Sequence, residues 1–263
     1  MDTRFWGPPA WKLLHTIAAA YEPATGRQHM IDFLEVLPFI LPCKFCRASL
    51  TDHYKRLPFR GTALTSREAF EEWMYKLHNL VNDKLEEQGQ HIGTRPAFSD
   101  VKAHYREILA GGTPMPWDFL FAVAFIYPPT TPETPIPDAP KCRAGAADCE
   151  KNRWNYLSPT RRLAYWRKFW KVLPGVLPAA WRSAWVDAVR RADPAFTSRR
   201  SAVASLWRIR CAFESNKEDP YMEVCDRLVF HSSGCGIATA AKTRTCRRLQ
   251  QRRQTRKHNT RQG

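Results

Sequence analysis

Two of the chain's eight cysteines are spaced for thiol chemistry. Cys43-Lys44-Phe45-Cys46 follows Pro42 directly and opens a segment that reads as a helix, so the helix-end amides, with Lys44 and Arg47, favour thiolate over thiol. Such a pair suits a disulfide that opens and closes during reaction. Half of a zinc site is the first alternative, but a tetrahedral site needs four ligands, and the first domain has no second cysteine pair, although His53 and His78 could complete one. A thioredoxin-like motif is the second; it needs a preceding strand in a βαβ frame, whereas this one follows a helical segment and a proline. No metal site is expected.

The segments around the pair have helical spacing. Trp11 to Tyr21 reads as a mostly buried helix entered through Pro8 and Pro9, with His15 one turn after Trp11 on the same face. Met30 to Leu41 is a second apolar segment, ended by Pro42, and the helix opened by the cysteines runs through Arg47, Leu50 and Tyr54. The longest helix starts after Ser66, a suitable N-cap, and repeats Phe70, Trp73, Met74, Leu77, Val81 and Leu85 at spacings of three and four. Val101 to Leu109 is a short fifth helix before Gly111-Gly112. Period-two alternation is scarce, so the expectation is an all-α fold whose first part is a four-helix bundle with that fifth helix.

Six prolines from Pro128 to Pro140 mark a linker at 128–140 and divide the chain into a first domain, 1–127, and a second, 141–236. The second also reads helical, at Arg161 to Val172, Ala179 to Arg191 and Ser198 to Phe213, and holds six of the ten tryptophans. Trp166/Trp170 and Trp181/Trp185 at i, i+4 read as core packing rather than a stacking platform for bases. Residues 237–263 form a basic tail expected to be solvated. The last 23 residues carry nine Lys or Arg and no acid, leaving +7 of the net +16 on the other 240. Weak attachment to nucleic acid or another polyanion is the partner such a tail implies.

With 44% hydrophobic and 25% charged residues the chain is neither disordered throughout nor collagen-like. The longest apolar run, Phe119 to Tyr127, is too short to cross a bilayer, and Met1-Asp2-Thr3-Arg4 does not open a signal peptide. A cytoplasmic, non-exported protein with no membrane span is therefore expected, and there cysteine pairs tend to be redox-active or metal-binding.

The combination is more telling than any one motif. The Trp11/His15 helix, the cysteine pair, and His78-Asn79-Leu80-Val81-Asn82 on the long helix point aromatic, imidazole and amide groups inward from three helices, a setting for a flat polar cofactor beside a disulfide. Across about residues 5–110 the sequence resembles the Erv/ALR family of FAD-linked sulfhydryl oxidases. The resemblance lies in Trp6-Gly7-Pro8-Pro9-Ala10-Trp11, the Trp11/His15/Tyr21 helix, Cys43-x2-Cys46-x6-His53-Tyr54 and His78-Asn79-x-Val81-Asn82-x2-Leu85. The layout is most similar to versions from large cytoplasmic DNA viruses, which add a C-terminal helical domain, and would place the protein in host cytoplasm or virion.

The resemblance implies a mechanism. A dithiol of a protein substrate or a thioredoxin-like relay attacks Cys43, Cys46 lies next to the flavin, and electrons pass through FAD to oxygen, giving hydrogen peroxide. It implies FAD contacts at Trp11, His15, His53, His78, Asn79, Val81, Asn82 and Leu85, with Trp6, Tyr21 and Tyr105 as further candidates, and a homodimer formed through the first helices. The family's usual N-terminal shuttle cysteines and structural disulfide are missing. Cys142, Cys149, Cys235 and Cys246 are candidates for shuttle or staple, with Cys211 and Cys225 as further possible carriers. Two other functions fit the composition: a non-enzymatic basic virion protein that binds nucleic acid, and a flavin-free thiol–disulfide isomerase.

Overall fold

A computed structural model describes residues 1–128, 159–214 and 220–232. Among these the fold is all-α, with ten α-helices and one 3-10 turn. The helices are α1 (Thr3–Ala19), α2 (Pro23–Ile40), α3 (Lys44–Arg56), α4 (Arg67–Glu87), α5 (Phe98–Gly111), α6 (Trp117–Phe125), α7 (Pro159–Val176), α8 (Ala179–Ala192), α9 (Arg199–Glu214) and α10 (Tyr221–Ser232). Most of the proline-rich stretch, the basic tail, and Cys142, Cys149, Cys235 and Cys246 lie outside the described residues.

Caps fix the helices that matter most to the site. The Ser66 hydroxyl accepts the Ala69 N–H at 3.1 Å and starts α4 at the expected residue. Asp2 plays this part for α1, taking the Arg4 N–H at 3.0 Å, so the helix begins before the proline pair instead of at it. Pro8 and Pro9 therefore sit inside the helix and deprive the Arg4 and Phe5 carbonyls of their helical donors. α2 likewise starts earlier than its apolar residues suggest, with Pro23 in its first turn, because its first seven residues are largely solvent-facing and show no apolar period. Pro174 lies within α7 and does not end it.

The run Phe119 to Ala124 forms the middle of α6, where every residue is fully buried. A helix apolar on all sides must be enclosed on all sides. α1 packs on one flank, where Trp6 meets Phe119 at 6.2 Å, and α9 on another. Trp166 of α7 donates its indole N–H to the Val123 carbonyl at 2.8 Å. α7 also lies along α2: Phe39 stacks on Tyr165 at 3.6 Å and Phe33 faces Phe169 at 6.0 Å. Trp166, Trp170, Trp181 and Trp185 are all buried, and the apolar side chains of the helices before and after the proline-rich stretch form one continuous cluster.

Candidate functional site

α2 ends at Ile40 and the chain turns through Leu41 and Pro42, leaving Cys43 as the N-cap of α3. Its sulfur accepts the Cys46 N–H at 3.4 Å, using an amide that would otherwise have no partner in the first turn. Both cysteines stand as half-buried thiols. The hydrogen bond between the Cys46 thiol and the Cys43 sulfur is the largest influence on it; burial opposes, and the Cys46 and Phe45 amides add to the lowering. The result is a Cys43 pKa pulled down to about 6, so this sulfur is a thiolate at neutral pH. No acidic residue occupies the first turn of α3 to oppose that charge.

Behind the pair Arg47 is buried and donates from Nη1 to the Leu41 carbonyl at 2.7 Å. Burial, then the nearby positive charge of Arg162 on α7, hold its pKa down to about 10, while the two cysteine sulfurs act the other way. Asp2 donates its N–H to the His231 carbonyl of α10 at 2.9 Å, and Phe5 stacks on the His231 ring at 4.4 Å. The last described helix thus closes on the N-terminal end of α1.

A second group of side chains gathers where α1, α4 and α5 meet. His15 Nε2 and His78 Nδ1 stand 3.0 Å apart, so one ring donates and the other accepts. Trp11 stacks on His78 at 3.9 Å and Tyr105 on His15 at 4.9 Å, giving two parallel pairs joined by that bond. Burial drives His15 down to about 3, helped by the neighbouring His78, and His78 to about 4. Both imidazoles are therefore neutral at physiological pH. Asn82 donates to the Asn79 carboxamide at 3.4 Å one turn further along α4. Flat rings, neutral imidazoles and carboxamides suit a planar ligand carrying both donors and acceptors.

α3 and α4 are tied by Lys84 to Ser49 and by the Trp73 indole to the Leu57 carbonyl at 3.2 Å. Between them His53 is buried with both ring nitrogens lacking a hydrogen-bond partner, and the buried Tyr54 hydroxyl lacks one too. Unpaired buried groups of this kind cost stability unless a ligand or water meets them. Burial, with the positive charges of Lys84 and Arg56, lowers the His53 pKa.

The structure thus brings Trp11, His15, His78 and Tyr105 together and places Asn79, Val81, Asn82 and Leu85 along the half-buried continuation of α4. Trp6 and Tyr21 lie elsewhere in the core: Trp6 packs on α6, and the Tyr21 hydroxyl donates to the Leu64 carbonyl at 3.0 Å. Arg162 was absent from the sequence-based site. No local pattern could announce it, because it acts on Arg47 only through tertiary packing. Among the described residues no three His, Cys, Asp or Glu side chains group as metal ligands.

Comparison with known proteins adds to this geometry. A family model described as the Erv1 / Alr family matches residues 8–103, from α1 into α5. The chain is 34% identical over 87 residues to the mitochondrial FAD-linked sulfhydryl oxidase of Saccharomyces cerevisiae, covering 32% of this chain and 44% of that protein. It is 32% identical over 83 residues to an FAD-linked sulfhydryl oxidase of African swine fever virus, covering 30% of this chain and 67% of the viral one. It spans 59% of the length of related proteins from Invertebrate iridescent virus 3 and Acanthamoeba polyphaga mimivirus. No solved structure matches.

Proposed function

The chain belongs to the Erv1/Alr family, and we propose that it is an FAD-dependent sulfhydryl oxidase that makes disulfides in protein substrates, with Cys43 and Cys46 as its redox pair. The observation that carries the reading is the Cys43 sulfur, held as a thiolate at the start of α3 beside Cys46 within the family-matched residues. The alternatives of a flavin-free isomerase or a purely nucleic-acid-binding protein leave the imidazole bay and the orphaned His53 nitrogens without a purpose.

FAD fits what the residues offer. Trp11, His15, His78 and Tyr105 present flat faces, Asn79 and Asn82 present carboxamides, and His53 and Tyr54 keep polar atoms unsatisfied within the protein. These residues, with Val81 and Leu85 as apolar neighbours, would hold the cofactor; Trp6 and Tyr21 support the bundle around it. When bound, FAD supplies a two-electron acceptor that reoxidises the cysteine pair and is itself reoxidised by oxygen, yielding hydrogen peroxide.

The cysteines perform the exchange. A substrate thiolate attacks Cys43 of the Cys43–Cys46 disulfide, forming a substrate–Cys43 bond and releasing Cys46 as thiolate. The substrate's second thiolate then attacks its own bonded sulfur; the substrate leaves as a disulfide, and Cys43 departs with the electron pair. A leaving thiol of low pKa leaves faster, and Cys43 has one. Arg47, behind the pair, offsets the negative charge that appears on both sulfurs.

The protein dithiol or thioredoxin-like relay, and oxygen as acceptor, belong to the same proposal, as does association of two copies through the first helices. α7 already lies along α2, so that association would use the remaining faces. Oxygen consumption on adding a small dithiol tests the function: wild type should turn over, and Cys46→Ser should not. Full turnover in Cys46→Ser would refute the assignment of the redox pair.

A further inference from the structure

α5 rests on the imidazole bay without a buried footing. None of its residues is buried, although Tyr105 stacks on His15 of α1 at 4.9 Å. Beside a ring contact between Phe98 and Tyr75 at 5.5 Å, its ties to α4 are polar. Lys102 pairs with Glu68 at 2.7 Å, Arg106 stands 3.6 Å from the buried Glu71, and just before the helix Arg95 engages Asp83 and Glu86 at 2.6 Å each. The Tyr75 hydroxyl donates to the Pro96 carbonyl at 3.0 Å. Exposed ion pairs contribute little singly and weaken with salt, and a segment with few buried contacts opens at low free energy. The two ends of α5 differ. Its first turn has no side-chain cap, whereas it stops at Gly112, whose φ of 69° suits glycine, and the Trp181 indole of α8 donates to the next carbonyl, that of Thr113, at 3.2 Å. A fixed pivot therefore stands at one end and a polar latch at the other.

We propose that α5 is a lid on the cofactor bay, pivoting at Gly112 and latched through Arg95, Lys102 and Arg106, whose opening sets how fast FAD enters and leaves. The proposal rests on the flavin reading and adds control of cofactor loading at the same site. The ring distances require such a movement. Planar groups in contact stand about 3.5–4 Å apart, so a ring that enters between Tyr105 and His15 must spread them from 4.9 Å to about 7 Å or more. On the other side of the bay Trp11 already lies on His78 at 3.9 Å. α1 and α4 are both rooted in the core, through fully buried Leu13 and Ile17 and through Phe70 and Leu77, so the helix that can give way is α5.

Salt and ligand bias the lid in opposite directions. Ionic strength screens the carboxylate contacts of Arg95, Lys102 and Arg106 and favours the open state, whereas FAD held beneath α5 favours the closed one.

The test uses the full chain and the charge-reversed variants Lys102→Glu, Glu68→Lys and the double Glu68→Lys/Lys102→Glu. FAD-loaded protein is diluted, and release is followed by flavin fluorescence. Raising salt from about 0.05 to 0.5 M should speed release from the wild type roughly threefold or more. Lys102→Glu should speed it roughly three- to tenfold at low salt, and the double variant should return close to the wild-type rate. Release that neither salt nor Lys102→Glu changes, or a double variant no slower than Lys102→Glu, overturns the proposal. A readout free of turnover and of cofactor is hydrogen exchange in the flavin-free protein. Residues 98–111 should exchange roughly tenfold or more faster than residues 70–77 of α4, and Lys102→Glu should quicken the first segment and leave the second unchanged. Equal exchange in the two segments refutes the lid. A protein that takes up no flavin would sink the oxidase reading, whereas the exchange comparison, made without flavin, still decides whether α5 opens alone.

Discussion

The most quantitative consequence of the site concerns the Cys43 thiolate. With a pKa of about 6 against an ordinary 8.5, roughly nine-tenths of Cys43 is ionised at pH 7, where a normal thiol is about 3% ionised. That thirtyfold gain is largely hidden at neutral pH, because nucleophilicity falls with pKa on a slope of about 0.4–0.5, costing roughly 10- to 18-fold over 2.5 units. At pH 5.5 the ionised fractions are about one quarter and one thousandth, and the net advantage grows to roughly twentyfold. The assay is the pH profile of iodoacetamide labelling of the reduced protein, read by mass spectrometry. Trypsin cuts after Lys44 and so places Cys43 and Cys46 on separate peptides. The Cys43 profile should break near pH 6, and in Cys46→Ala the break should move upward, because the Cys46 thiol is the largest lowering influence. A wild-type break at 8 or above, or one that Cys46→Ala does not raise, would refute the reasoning.

Acidification should destabilise the fold through the imidazole bay. Unfolded histidines titrate near 6.5 whereas His15 and His78 are held near 3 and 4, so as pH falls the unfolded chain takes up protons the folded one refuses; at pH 5 each histidine weakens folding by roughly 2 kcal/mol. Urea titrations at pH 7 and 5 should show the loss, and His15→Gln/His78→Gln should remove most of that pH dependence. Phe169→Ala should cost about 3–5 kcal/mol, since its fully buried ring faces Phe33 of α2 and Phe119 of α6, and unfolding should stay a single transition. Two separate melting transitions would show that the helices on either side of the proline-rich stretch do not share a core. Ser66→Ala should lose about 1 kcal/mol in the same titration through the missing cap of α4.

Much of the site was legible because it depends on local rules. Pro42 before a helical pattern places Cys43 at a helix start, Ser66 before the apolar period starts α4, and the Trp11/His15 and His78/Asn82 spacings fix which groups share a face. Other features follow no local rule. α6 has no polar face and therefore no period, so its sequence reads as an apolar run until the helices around it are in place. The first half of α2 is helical because the apolar second half carries it, not because its own residues say so. α10 reaches the N-terminal end of α1 through a backbone bond from Asp2 to His231 and a ring stack, neither of which leaves a mark in the spacing of residues. Arg162 is a further case: one arginine among several in a basic helix, whose charge acts on Arg47 only once α7 is packed in place.

The central claim is that Cys43 and Cys46 pass a substrate's electrons to a flavin held in the α1, α3, α4 and α5 bay, and an anaerobic titration tests it most directly. The purified protein, loaded with FAD if needed, is treated with one equivalent of dithiol while its visible spectrum is recorded, and air is then readmitted. The account expects flavin absorbance that the dithiol bleaches, that oxygen restores, and that Cys46→Ser no longer loses at the wild-type rate. A protein that takes up no flavin, or a bound flavin that the dithiol leaves unbleached, would contradict it.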